Sequence, residues 1–265
     1  MSGKIIAIVN NKGGVGKTTL TINLAHALAN KKRKVLVIDT DSQCNASKLL
    51  IKPEFINESL YEILEGYNVQ PDLPIYPTIY TNLSCIPNVE DTAALEFRLA
   101  KKLPENYALL KRYLKEHVTE NFDYTFIDCP PNMGFFVINA LMAADFVIVP
   151  VLCGSSFSIE GLTRAIKLVN EIRKTGNENL RFLRLLINAV DKRTAMSKLI
   201  IGQLSKKFGG DEIFKTKIGT STAFQQAEFL SKTVLRHAAR SPGAKSYREL
   251  AIELADIFGD NITAD

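Results

Sequence analysis

The sequence predicts an α/β fold, a doubly wound, mostly parallel sheet with helices on both faces. Three observations predict it. Five short apolar, β-branched runs alternate with stretches of helical pattern. Each run is bounded by charge, glycine or proline and is too short for a helix. A glycine-rich loop follows the first run directly and opens a helix. In order, the strands fall at Ile5–Val9, Val35–Ile38, Tyr124–Ile127, Phe146–Val151 and Leu183–Ile187, apolar enough to be covered on both faces. The helices fall at Thr18–Lys31, Glu105–Glu120, Phe135–Ala144, Ile159–Lys174 and Ala195–Phe208. The stretch 52–83 carries Pro53, Pro71, Pro74 and Pro77 and reads as a short helix (Glu58–Leu64), turns, and a strand near Leu83–Ile86. No long polar linker, internal repeat or low-complexity tract divides the chain, so residues 1–265 are expected to form one domain.

With 265 residues, 46% hydrophobic and 23% charged, the composition is that of a soluble globular protein and excludes a disordered or fibrous chain. The net charge of +5 is unevenly spread. Residues 1–180 hold 19 basic and 19 acidic side chains; residues 181–248 hold 14 basic and 4 acidic; residues 249–265 hold 5 acidic and none basic. The surplus in 181–248 is either a surface for a polyanion or a solvated face. Cys44, Cys85, Cys129 and Cys153 form no C-x-x-C pair or metal-ligand spacing, which points to a reducing, cytosolic compartment. Ile5–Val9 is too short for a secretory signal, and Phe135–Cys153 is interrupted by Asn139 and Asp145, so no membrane span is expected. His26, His117 and His237 are scattered and read as structural.

The strongest motif is Asn11-Lys12-Gly13-Gly14-Val15-Gly16-Lys17-Thr18-Thr19. Glycines at 13, 14 and 16 let backbone N–H groups converge on phosphate oxygens, and the helix start adds its partial positive charge. Lys17 is placed for the β- and γ-phosphates and the Thr18 hydroxyl for Mg²⁺. Asn11 stands where the usual pattern has glycine, a mild departure because Asn tolerates left-handed geometry. A phosphate loop needs carboxylates for metal and water. Asp128 closes the apolar strand Tyr124–Ile127 and precedes Cys129-Pro130-Pro131, a place for a metal carboxylate or for a capping Asp before a turn. Asp39-Thr40-Asp41-Ser42-Gln43 closes the second strand; its carboxylates point the same way if the strand continues, and otherwise serve a turn and helix cap. Cys129 reads as a small buried residue.

Lys12 adds a second lysine at the start of the loop, and Lys-Gly-Gly-Val-Gly-Lys-Thr-Thr resembles the deviant Walker A motif of the ParA/MinD family of P-loop NTPases. The resemblance continues through blocks 39–45, 128–134 and 188–193 and covers nearly the whole chain. It implies ATP and Mg²⁺ as cofactors, bound through Lys12, Gly13, Gly14, Val15, Gly16, Lys17, Thr18 and Thr19. Lys12 would reach across a nucleotide-sandwich homodimer to the partner's phosphates. The D-x-D-x-Q block would give Asp41 the attacking water and Asp39 the metal's water shell, with Asp128 in the Walker B role. Pro130–Gly134 resembles the family's second switch. Asn188 would contact adenine, although by sequence it serves equally as a turn residue.

The resemblance further implies non-specific DNA binding in the ATP state through the basic segment, where Lys192, Arg193, Lys215, Lys217, Lys232, Arg236, Arg240 and Lys245 are the candidates. The loop after Phe214 lacks the paired arginines common in relatives. Lys4 opens the first strand, so no added amino-terminal DNA-reading domain is expected, and specificity would come from a ParB-like centromere-binding protein or cargo adaptor. The acidic residues from Glu249 onward contrast with the basic, membrane-binding terminal helix of MinD-like proteins, so no membrane partner is expected. Cys129 and Cys153 lack the flanking pattern of iron-protein relatives. The reading is therefore a cytoplasmic, nucleoid-associated ATPase of the short ParA (Soj-like) kind that partitions plasmid or chromosomal DNA. Its alternatives are a MinD-like or cargo-positioning ATPase, a P-loop small-molecule kinase, and a nucleotide switch without hydrolysis.

Overall fold

The computed structural model describes residues 2–66, 73–99, 101, 104–154 and 157–262. Seven strands form one sheet: β1 (Lys4–Ile8), β2 (Val35–Asp39), β3 (Tyr76–Pro77), β4 (Leu83–Ile86), β5 (Tyr124–Asp128), β6 (Phe146–Leu152) and β7 (Arg181–Asn188). Their order is β3-β4-β2-β5-β1-β6-β7, and all pairings are parallel except the antiparallel edge strand β3. The five expected strands and Leu83–Ile86 are all present; β3, two residues long with a proline, carried no readable pattern.

Alternation along the strands assigns the faces. Ile5 and Ala7 join the core formed with α3 (Leu60–Glu65), α4 (Thr92–Leu99), α5 (Leu109–Asn121), α6 (Phe135–Ala143), α7 (Phe157–Thr175) and α8 (Ala195–Lys207). Ile6 and Ile8 join the opposite core, with α1 (Lys17–Asn30), α2 (Asn45–Leu50), α9 (Thr222–Phe229), α10 (Val234–His237) and α11 (Pro242–Ile257). The expected helix Glu105–Glu120 opens with a 3₁₀ turn at Glu105–Ala108 before α5, and Ser59 caps α3 with a reciprocal Glu62 contact.

Three of the acidic residues from Glu249 onward, Glu249, Glu253 and Asp256, lie in a helix. Residues from Glu249 belong largely to α11, which Ser241 caps and Pro242 opens. Its Tyr247, Leu250, Ala251, Leu254 and Ala255 are buried at helical spacing against α1. Asp260 then anchors the chain end through Arg33 and the Tyr124 hydroxyl. Glu249 and Asp256 are exposed on this core helix while Glu253 is largely covered beside Arg184, and charge counting alone concealed the apolar stripe of the helix. Among the described residues, no helix is long and apolar enough to cross a membrane.

α10 is held to α1 by a buried polar cluster. His26 Nδ1 lies 2.6 Å from Thr233 Oγ1, Val234 N donates to Asn23 Oδ1 at 2.7 Å, and Thr233 N donates to the Tyr80 hydroxyl at 3.1 Å. Burial first, and the Arg236 charge second, push the His26 pKa down to about 4. A folded-state value below the unfolded one means that the contribution is complete above about pH 6.5 and is lost as pH falls toward 4. Denaturant unfolding should therefore show the wild type losing roughly 2–3 kcal/mol more than His26→Gln between pH 7 and 4. Parallel pH profiles would show that His26 is not the titrating group.

Candidate active site

The site begins where β1 turns into α1. Gly14 and Gly16 have φ of 73° and 87°, left-handed values that glycine takes without strain. Gly16 is the N-cap of α1 and offers no side chain to it, so the first N–H groups of the helix point at an anion site. A Cβ at Gly16 would run into the Asn188 amide. The loop is braced from below: Asn10 Oδ1 accepts from Lys12 N at 3.0 Å, and Asn10 Nδ2 donates to the Pro150 carbonyl at 2.8 Å. Asn188, at the end of β7, donates from Nδ2 to the Val15 carbonyl at 2.9 Å, and its Oδ1 accepts from Ala189 N. The amide expected at adenine thus ties the end of β7 to the phosphate loop through Nδ2, Oδ1 is bonded to its own chain neighbour, and the residue also lines the cleft beside the loop.

Lys17 is 7% exposed, and its Nζ donates to the Lys12 carbonyl at 3.3 Å. Burial lowers its pKa, opposed by Asp128, Cys129 and Asp41 in that order. Lys12 itself is half-buried at the start of the loop. Thr18 Oγ1 donates to Asp128 Oδ2 at 2.7 Å, and Thr21 Oγ1, one helical turn on, donates to Oδ1 at 3.1 Å. Thr21 could have been read from its i, i+3 spacing to Thr18. Asp128 and Asp39 are register partners on β5 and β2, both fully buried. Burial pushes both carboxyls up, aided at Asp128 by the Asp39 charge and at Asp39 by the Asp41 charge.

β2 ends at Asp39, so the strand alternation that would have set Asp39 and Asp41 on one face stops there. Asp39 Oδ1 accepts from Asp41 N at 3.1 Å, and Oδ2 accepts from Ser47 N at 2.8 Å and Ser47 Oγ at 2.7 Å. Both oxygens accept hydrogen bonds that hold the loop and α2 in place. Asp41 is 9% exposed and its Oδ1 accepts from Gln43 N at 3.0 Å. Cys129 is buried, as expected. The 130–134 segment ends at Gly134, and Phe135 N at the start of α6 donates to Glu96 Oε1 at 3.1 Å.

The donor set fits Mg²⁺. The Thr18 hydroxyl and Asp128 carboxylate are hard oxygen donors next to Lys17, and no group of three or more His, Cys, Asp or Glu forms a metal cage among the described residues. Such a pair holds an ion that keeps waters and phosphate oxygens as its other ligands. Beside it lies a cleft of about 500 Å³, lined by Gly14, Gly16, Thr19, Asn188, Thr220 and Phe224 among others. The Gly219–Gln225 wall was missed from sequence. Its one signal is the small polar run Gly219-Thr220-Ser221-Thr222, in which Ser221 caps α9.

Lys192, Arg193, Lys215, Lys217, Lys232, Arg236, Arg240 and Lys245 are all exposed. Arg193 pairs with Asp191 at 2.8 Å and Lys245 with Glu249 at 3.8 Å. The segment bearing Lys215 and Lys217 is rigidly placed: Glu253 accepts from Lys215 N and Thr216 N, and Ile218 N donates to the Ile187 carbonyl.

A family model described as AAA domain matches residues 3–182. The chain is 38% identical over 254 residues to the sporulation initiation inhibitor protein Soj of Bacillus subtilis, covering 96% of this chain and 98% of Soj. It is 31% identical to the chromosome partitioning protein ParA of Myxococcus xanthus, over 95% and 88% of the two chains. The septum site-determining protein MinD of Pyrococcus horikoshii, solved with Mg-ADP, superposes with a TM-score of 0.78 at 26% identity, covering 97% of this chain and 98% of that one. The chain belongs to the ParA/MinD family of P-loop ATPases. It is an ATPase that uses ATP and Mg²⁺, and the sheet with its loop between β1 and α1 is the P-loop NTPase fold of this family.

Two substitutions test the geometry of this ATPase. Gly16→Ala should weaken binding of a fluorescent ATP analogue at least tenfold, since it combines a left-handed φ with a collision at Asn188. Asp128→Asn should remove most of the difference in nucleotide affinity measured with Mg²⁺ and with EDTA. An unchanged Mg²⁺ dependence would move the metal site away from Asp128.

Proposed function

We propose that this ATPase is a ParA-type partition protein acting in the cytoplasm on the nucleoid. ATP would drive its homodimerisation and non-specific DNA binding, and hydrolysis stimulated by a ParB-like or other cargo-adaptor partner would reset it. The observation that carries the reading is the convergence of Lys17, Thr18 and Asp128 at the head of α1, with Asp41 within electrostatic reach of Lys17.

In this reading the loop N–H groups and Lys17 hold the β- and γ-phosphates, and Thr18 and Asp128 hold Mg²⁺. The metal, when bound, neutralises phosphate charge as it shifts toward the leaving oxygen. Asp41 orients the attacking water with its carboxylate, a task of positioning that needs no strong base. Lys12 reaches the phosphates of the partner subunit and makes dimerisation depend on ATP. Asn188 shapes the phosphate loop, while the Gly219–Gln225 wall meets the base. The exposed cations between 192 and 245 give a surface suited to DNA phosphates and steep salt dependence. The apolar stripe of α11 is spent on α1, which leaves that helix nothing to offer a membrane. Relatives named for chromosome partitioning support the same reading.

Asp41→Ala should bind ATP with near-normal affinity and hydrolyse it at least tenfold more slowly; normal turnover would remove Asp41 from the chemistry. Lys12→Ala should stay monomeric in sizing runs with ATP. Reversing Lys192, Lys215, Lys217 and Lys245 together should abolish ATP-dependent DNA retention at constant nucleotide affinity. Unchanged retention would place the DNA surface elsewhere.

A further inference from the structure

An apolar groove of about 520 Å³ lies on the α1 side of the edge strand β3. Its floor and walls include Leu49, Leu50 and Ile51 at the end of α2, Phe55, Ile79 in the turn after β3, and Leu230 just after α9. Large apolar side chains stand in the open there: Phe55 is 61% exposed, Ile79 71%, Leu230 47%, and the adjoining Phe229 89%. A cluster of this kind marks an interaction surface. The charged residues lining the groove are Lys48 and Lys52, both positive. Each has an exposed carboxylate partner, Glu90 at 3.0 Å and Glu54 at 4.0 Å, and exposed pairs of this sort are weak enough to exchange.

Two elements that bound the groove are rooted in the nucleotide site. α2 begins directly after the Asp41 loop, and its Ser47 is bonded to Asp39 through both N and Oγ. Leu49 and Leu50 of the same helix line the groove. α9 begins at the base wall, where Thr222, Phe224 and Gln225 line the nucleotide cleft, and it ends at the groove with Leu230 beyond it. A narrow crevice of about 60 Å³ runs between them, lined by Thr18, Thr19, Asn45, Leu49 and Phe224. Occupation of the groove bears on the helices that carry the two loops on either side of the nucleotide.

We infer that this groove docks an acidic amphipathic helix of the partner protein and passes that contact to the Asp41 loop through α2. The concave apolar lining suits the anchors of a helix at i, i+3, i+4 and i+7, and the lysine lining suits carboxylates on its flanks. DNA would find few cations and much hydrocarbon here. The inference rests on the proposed partner-stimulated cycle, and its test separates the two.

Two labelled helical peptides of about 18 residues are the probes, with the same leucine stripe and either glutamate or lysine on the flanks. The full-length chain should bind the Leu/Glu peptide saturably, with at least tenfold preference over Leu/Lys, and its ATPase rate should shift at saturation. Ile79→Glu with Phe55→Glu should lose at least tenfold of that affinity while keeping basal ATP hydrolysis. Lys48→Glu with Lys52→Glu should reverse the preference toward Leu/Lys. Equal binding to wild type and the Ile79/Phe55 variant, preference of the wild type for Leu/Lys, or no binding of either peptide overturns the inference. Groove-dependent self-association on sizing, or groove-dependent sedimentation with phosphatidylglycerol vesicles, overturns it in favour of a second copy or a lipid surface. Peptide binding at the groove with an unchanged ATPase rate overturns the coupling to Asp41. A wild type that shows no ATP-dependent dimer or DNA retention defeats the partition reading instead, and the peptide result stands apart from it.

Discussion

The carboxylate of Asp128, closed off from water and held by Thr18 and Thr21, is the contact on which the site depends. It joins the end of β5 to the first turn of α1, and so fixes where the helix that presents the phosphate loop begins. A buried carboxylate is costly unless its oxygens are bonded, which is why two hydroxyls and a nearby lysine surround it. The same carboxylate is the metal ligand of the proposed chemistry. Structure and function therefore draw on one group, which burial and the Asp39 charge push up in pKa and which Thr18, Thr21 and Lys17 pull down.

The central strands explain how the parts meet. β1 lies between β5 and β6, and β5 lies between β1 and β2, so one short stretch of sheet edge collects the glycine loop, Asp128 and the Asp39–Asp41 turn. This is the reversal point of a doubly wound sheet, where ligands bind at the carboxyl ends of the strands. Asp39 then ties the turn to α2, while β7 brings Asn188 against the phosphate loop. The two helical layers have different tasks in consequence. The layer of α1, α2, α9 and α11 frames the cleft beside the phosphate loop and the apolar groove, and the opposite layer supports the 130–134 segment through α6 and Glu96.

Much of this was legible in the sequence because central parallel strands are apolar on both faces and glycine loops have a fixed chemistry. Lys17, Thr18 and Asp128 could be paired without coordinates, since a P-loop lysine and hydroxyl require a strand-end carboxylate. Asp39 and Asp41 were legible as a pair, but the bonds by which Asp39 holds the Asp41 turn and Ser47 of α2 were not, because they depend on where β2 stops. Asn188 had two readings of equal standing, adenine contact and turn residue, and neither foresaw the bond to the Val15 carbonyl by which it braces the phosphate loop. The helices after residue 208 went unread even though α11 carries Tyr247, Leu250, Ala251, Leu254 and Ala255 at helical spacing. There the net charge of the segment was read in place of its periodicity.

By itself the sequence determined the fold class, the phosphate loop and the carboxylate that faces it, because each rests on local chemistry at short spacing. The tertiary structure alone decided what stands opposite them. Gly219–Gln225 lie about two hundred residues from the loop whose cleft they close, and Glu253 holds the lysine-bearing segment from a helix that looked like a tail. The groove joins residues around 50, 79 and 230 through the sheet edge. Contacts of that range arise from strand order and packing, and no local pattern encodes them.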